Sequence, residues 1–98
     1  MRRAARVDDN QREIVAALRA AGASVQPLHA VGAGVPDLLV GYRSINYLLE
    51  CKDGSKPPSR RKLTDRQEEW HVKWRGQVLT VTSVDDALEQ LGIIARIG

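Results

Sequence analysis

Two apolar runs of strand length, separated by a short polar turn, constrain this chain more than anything else in it. The first is Val35-Pro36-Asp37-Leu38-Leu39-Val40 and the second is Asn46-Tyr47-Leu48-Leu49-Glu50-Cys51-Lys52, with Gly41 to Ser44 between them. Both are short for helices and bounded by turn residues, so the pattern predicts an antiparallel hairpin with strands over 37–42 and 45–52. Side chains alternate across a strand, which puts Glu50 and Lys52 on one face. Hairpin pairing brings the start of the first strand beside the end of the second, so Asp37 falls next to Glu50 at one edge of the sheet. Taken singly, Asp37 reads as a turn residue after Pro36, and Glu50 and Lys52 as an exposed ion pair. Leu48, Leu49 and Cys51, however, mark the second run as buried. A buried carboxylate costs on the order of several kcal/mol unless it is paired or bound to metal. Two carboxylates with a lysine beside them suit a hard divalent cation and metal-assisted hydrolysis.

Pro36-Asp37 followed by Glu50-Cys51-Lys52 resembles the PD-(D/E)XK nuclease signature, and within that superfamily it is most similar to the small VRR-NUC domains of phage and repair nucleases. Further matches are Glu13 in the first helix, Gly32 and Gly34 before Pro36, Leu63-Thr64-x-x-Gln67-x-x-Trp70 after the lysine, and Gly76-x-Val78 with the acidic helix behind it. The resemblance runs from Glu13 to Leu88. It implies an α/β, restriction-endonuclease-like core. It also implies that Asp37, Glu50 and the carbonyl of Cys51 hold Mg²⁺, with Mn²⁺ able to substitute. In that picture Glu13 leans over the site and recruits a second metal, Lys52 orients the attacking water, and Gln67 positions the lysine or the water. Some relatives carry a tyrosine four residues after this glutamine. Here that position is His71, so the tyrosine's role does not transfer.

The rest of the chain supports an αβββαβα order. Asp8, Asp9 and Asn10 open a helix in which Asn10 and Glu13 have capping-box spacing, Ile14, Ala17, Leu18 and Ala21 form a core stripe, and Gly22 is the stop. Residues 23–28 read as a short strand that Pro27 confines to an edge. A glycine-rich loop follows, and its His29 reads as a surface residue rather than a base. The loop from Asp53 carries Lys56, Arg60, Arg61 and Lys62 directly after the proposed catalytic lysine. A charge run is ordinarily a solvated face. Beside a metal site these cations, with Arg66, would neutralise DNA phosphates. Thr64 and Gln67 form a second capping box on a helix that runs to about residue 75, with Trp70 and Trp74 expected as core anchors. Residues 77–82 read as a strand, Ser83 caps a helix over 84–91, and the apolar tail 93–98 reads as a last strand or a packing segment, and as a candidate dimer contact. A right-handed crossover would return the fourth strand parallel to the third. The result is a four-stranded mixed sheet flanked by helices.

At 98 residues the chain is expected to be one domain, 1–98, with a modest core. It has no apolar run of membrane-span length. The basic start, Met1 to Arg6, has no apolar segment behind it and is no secretory signal. The single Cys51 agrees with a reducing compartment, the cytoplasm of a bacterium or a phage-infected host. No cysteines and histidines stand at zinc spacing. The expected activity is that of a Mg²⁺-dependent DNA endonuclease. Nothing reads as a base-recognition helix, which favours structure-selective cutting of branched DNA, a Holliday junction or a flap, by a homodimer. The alternatives are a non-catalytic nucleic-acid-binding module and a restriction- or toxin-type nuclease.

Overall fold

The computed structural model describes residues 10–95. Its elements are α1 (Gln11–Ala20), β1 (Ser24–Pro27), β2 (Leu38–Tyr42), β3 (Ile45–Cys51), α2 (Pro58–Arg61), α3 (Asp65–Lys73), β4 (Leu79–Val81) and α4 (Val84–Gln90). The sheet has the order β1-β2-β3-β4, antiparallel except for the β3–β4 pair. This is the expected four-stranded mixed sheet, with the Pro27 strand at an edge and the last strand returning parallel. The one-turn helix α2 inside the basic loop is an addition that the residue pattern did not announce.

The hairpin register follows the alternation of its side chains. Leu38 pairs with Leu49, Val40 with Tyr47, and Leu39 with Leu48. Leu38, Val40, Leu49, Cys51 and Val81 therefore share one face. Together with Ile14, Leu18, Ala87 and Leu91 they form the buried core. Helices α1 and α4 pack against each other and cover this face through β1 and β4. Each fully buried Leu or Ile contributes about 1.5–3 kcal/mol, so most of the fold's stabilisation lies on this side. The connecting turn is tighter than Gly41 to Ser44. Arg43 and Ser44 both adopt positive φ, 49° and 66°, as a two-residue type I′ hairpin requires. Neither is a residue that normally signals that turn, so the sequence made it look longer.

Two expectations need correction. Asn10 does not cap α1 with its side chain. Its Nδ2 instead donates to the carbonyls of Lys52 (2.9 Å) and Thr82 (3.1 Å), tying the start of α1 to the residues that follow β3 and β4. The tryptophans are not core anchors: α3 buries no residue, and Trp74 is 46% exposed. An apolar stripe on a helix predicts that a face is apolar, not that a partner covers it. Of the two readings of the tail, the described part, 93–95, fits the packing segment: it forms no strand, and Ile93 packs partly on the core. Asp8, Asp9 and residues 96–98 lie outside the described residues.

Helix α3 is placed by a close backbone approach rather than by burial. Gly34 has φ +80°, and a Cβ there would run into the Arg66 carbonyl and come within 3.2 Å of the Gln67 amide nitrogen. Gly32 also has positive φ, 71°, but open space around it. Gly32→Ala is therefore expected to cost only the left-handed penalty, about 1–2 kcal/mol. Gly34→Ala is expected to cost more, because the α3 backbone must move as well. Urea unfolding of the two variants side by side checks this ordering.

Candidate active site

Glu50, at the end of β3, is 1% exposed, and Lys52, just beyond it, is 8% exposed. Strand alternation puts both on the sheet face opposite the α1–α4 core. Continuing the β2–β3 register by one residue sets Asp37 across from Glu50 on that same face. The two carboxylates therefore share one sheet face, as the alternation predicts, with one detail that the sequence did not show. Asp37 Oδ2 accepts the Cys51 backbone N–H at 2.7 Å. The carboxylate takes over a main-chain acceptor role at the frayed end of the hairpin, which fixes its position. The Cys51 side chain belongs to the core, so only its carbonyl could serve the site.

Gln67 joins these groups. Its Oε1 accepts from Lys52 Nζ at 2.8 Å and from the Thr64 N–H at 2.9 Å. Its Nε2 donates to Glu50 Oε2 at 3.2 Å. Lysine and backbone N–H are only donors, and a carboxylate only accepts, so the amide has one workable orientation. The capping box is complete, since the Gln67 N–H also donates to Thr64 Oγ1 at 3.3 Å. The same contacts that start α3 thus hold the lysine and the glutamate. The sequence reading of Gln67 as a capping partner and as a site residue is one geometry, not two.

One turn further along α3, His71 Nε2 lies 4.0 Å from Glu50 Oε1, and the imidazole is 15% exposed. Burial pushes its pKa below the ordinary imidazole value, and the nearby Lys52 ammonium adds to this. At neutral pH this shift favours the neutral imidazole. In the sequence, His71 stands out only as the residue at the position where some relatives have tyrosine. The available signal was its spacing, four residues after Gln67 on one helix face.

The fold has a structural counterpart. A solved structure described as a VRR_NUC domain is 25% identical to this chain, with a TM-score of 0.62 over 84% of this chain and 89% of its own. The chain has a VRR-NUC fold. No family model and no curated protein matches it.

Around this VRR-NUC core the other predicted residues are distributed unevenly. Glu13 is exposed on α1 and borders a cavity of about 670 Å³, together with Asp53, Arg61 and Asp85. Neither Asp37 nor Glu50 lines that cavity, so the structure does not bring Glu13 together with them. Arg61 turns back toward the Gly54 carbonyl at 3.4 Å, while Arg60, Lys62 and Arg66 are exposed and Lys56 is half-buried. Asp53 opens the basic loop with an Asx turn: its carboxylate accepts from the Ser55 hydroxyl and N–H, which lower its pKa. His29 is exposed and lines a cavity beside α1 that neither Asp37 nor Glu50 borders. Among the described residues no three His, Cys, Asp or Glu side chains gather at one point. The side-chain donors available to a metal are thus the two carboxylates, Asp37 and Glu50.

Replacing Gln67 by Leu is expected to destabilise the domain by on the order of 1–3 kcal/mol, since buried Lys52 and Glu50 each lose a partner; urea unfolding measures it. The depressed pKa of His71 sets a pH dependence in the metal-free protein. Below about pH 6.5 the unfolded chain binds a proton that the folded one resists. The stability is full above that pH and falls as the pH drops through and below it. In EDTA, the midpoint of thermal unfolding should fall from pH 7 to pH 5 less steeply in His71→Leu than in the parent.

Proposed function

We propose that this domain is a Mg²⁺-dependent endonuclease that hydrolyses phosphodiester bonds in branched DNA. The observation that carries the reading is the joining of Glu50 and Lys52 through Gln67, on the same sheet face as Asp37. A purely structural ion pair would not need a third side chain drawn from another element. The likeness to a VRR_NUC domain supports a nuclease of the PD-(D/E)XK type.

The donor set fits a hard cation. Asp37 and Glu50 would hold it, and the Cys51 carbonyl would complete the protein ligands. Few carboxylates and retained waters suit Mg²⁺, and Mn²⁺ accepts the same oxygens. A closed zinc site would need more side-chain donors than are gathered here. When bound, the ion would supply Lewis-acid polarisation of the phosphate and lower the pKa of a bound water. Lys52 offers its remaining N–H groups to the attacking water and to the non-bridging phosphate oxygens. Gln67 holds that ammonium in place and so lowers the reorganisation needed as charge develops on phosphorus. The water oxygen forms the new P–O bond as the P–O bond to the leaving oxygen breaks in line with it; the water's proton passes to bulk solvent, and the leaving oxygen takes up a proton from solvent. The exposed Arg60, Lys62 and Arg66 would screen flanking phosphates.

Branched DNA is favoured over a specific sequence because the exposed cations Arg60, Lys62 and Arg66 suit phosphates, and phosphate contacts carry no sequence information. Cutting both strands of a four-way junction symmetrically requires two active centres, hence a homodimer. Among the described residues no helix is long and apolar enough to cross a membrane. The buried Cys51 thiol agrees with a reducing, cytosolic setting.

Incubation with linear duplex, flap and four-way junction DNA, in Mg²⁺ and in EDTA, tests the proposal. Cleavage should depend on Mg²⁺ and favour branched substrates. Asp37→Ala and Lys52→Ala should each reduce it by roughly 10²–10³-fold or more. Undiminished cutting by either variant would refute the assignment.

A further inference from the structure

The proposed chemistry does not use the two tryptophans of α3. Trp70 and Trp74 stack with ring centroids 4.6 Å apart and planes 18° apart. Trp74 is nevertheless 46% exposed. Gly76 lies close against its indole, where a Cβ would come within 2.8 Å of Nε1. An aromatic ring held this way keeps little freedom to lose on binding. Beside it lies a groove of about 370 Å³ lined by Ala33, Arg66, Glu69, Trp70, Lys73 and Trp74. Glu69 is paired with Lys73 at 2.8 Å, and Arg66 leaves the groove positively charged.

We infer that this groove receives an unpaired nucleobase of the DNA substrate, stacked on the Trp70–Trp74 pair, with its backbone phosphate on Arg66. The inference rests on the nuclease reading and supplies a source for its preference for branched DNA. Three observations favour a base over a second copy of the chain. The groove is near the lower end of the roughly 300–1,000 Å³ typical of small-ligand sites, which suits one flat ring. Its rim carries Arg, Lys and Glu, and lysine and glutamate are depleted from the centres of protein interfaces. An aromatic face next to a guanidinium is the recurrent platform for unpaired bases. The placement also fits. Gln67, Trp70, His71 and Trp74 lie on one face, at the spacing 0, 3, 4 and 7. Seven residues of helix span about 10 Å, or about three stacked steps of a DNA strand. A base on Trp74 would sit a few nucleotides from a phosphate at Lys52, where a flap or junction exposes single strand next to duplex. A continuous duplex offers no base to this platform.

The test uses the full chain with blunt duplex and with the same duplex carrying a single-stranded flap. Affinity is measured in EDTA by fluorescence anisotropy of labelled DNA, and tryptophan emission is followed in parallel. Cleavage is then measured in Mg²⁺. In the parent, flap DNA should quench tryptophan emission more than blunt duplex does. Trp74→Ala should lower the flap-over-blunt affinity ratio by roughly 5- to 100-fold, and Trp74→Phe should restore most of it. Gly76→Ala, which pushes the ring from its seat, should lower the ratio in the same direction. A ratio unchanged in Trp74→Ala, while the parent still cuts DNA, overturns this inference and leaves the nuclease reading standing. A parent that neither binds nor cuts DNA overturns both. A dimer that dissociates in Trp74→Ala without change in the ratio assigns the groove to a second copy and overturns the inference.

Discussion

A carboxylate sealed inside a small domain is the constraint around which the rest is arranged. Glu50 is 1% exposed at the end of a central strand, where an unsupported charge would cost several kcal/mol on the usual order of such penalties. The chain answers this with Gln67, whose amide reaches Glu50 and Lys52 at once. That amide is itself held by the capping box of the helix that carries it. Electrostatic support for the glutamate and initiation of α3 are thus the same set of hydrogen bonds, and a defect in one is a defect in the other.

The two faces of the sheet divide the work. On one face, Leu38, Val40, Leu49 and Val81 close with α1 and α4 into a dry core. On the other lie Asp37, Glu50 and Lys52, beneath a helix that buries none of its residues. Alternation along β3 generates both: Leu49 and Cys51 face the core, and Glu50 faces the site. Asn10 joins the two layers, because its amide bonds the carbonyls of Lys52 and Thr82 from the core side.

The hairpin was legible because its signal is local and binary. Two apolar runs and a turn fix the register, and the register fixes which carboxylates meet. The Thr64–Gln67 and Ser83 caps were legible for a similar reason, since capping depends on residues three apart. What the sequence hid depends on contacts remote along the chain. Asn10 looks like a cap until carbonyls 42 and 72 residues away are known to be within its reach. Trp70 and Trp74 carry the periodicity of a buried stripe, but whether another layer covers them is decided by the sheet's opposite face. Asp37 was placed correctly, yet its bond to the Cys51 N–H follows from the hairpin ending one residue early. His71 carried a spacing signal only, and its significance needed Glu50 to be seen 4.0 Å away.

The approach of Gly34 to the first turn of α3 has a consequence for how the molecule breathes. This helix rests on backbone contact and a few hydrogen bonds rather than on buried apolar surface, so its detachment exposes little that water disfavours. Such a segment opens as a unit well below the free energy of global unfolding. Amide hydrogens of α3 will therefore exchange much faster than those of β3. The groups around Glu50 will disperse and regroup many times within the lifetime of one folded molecule.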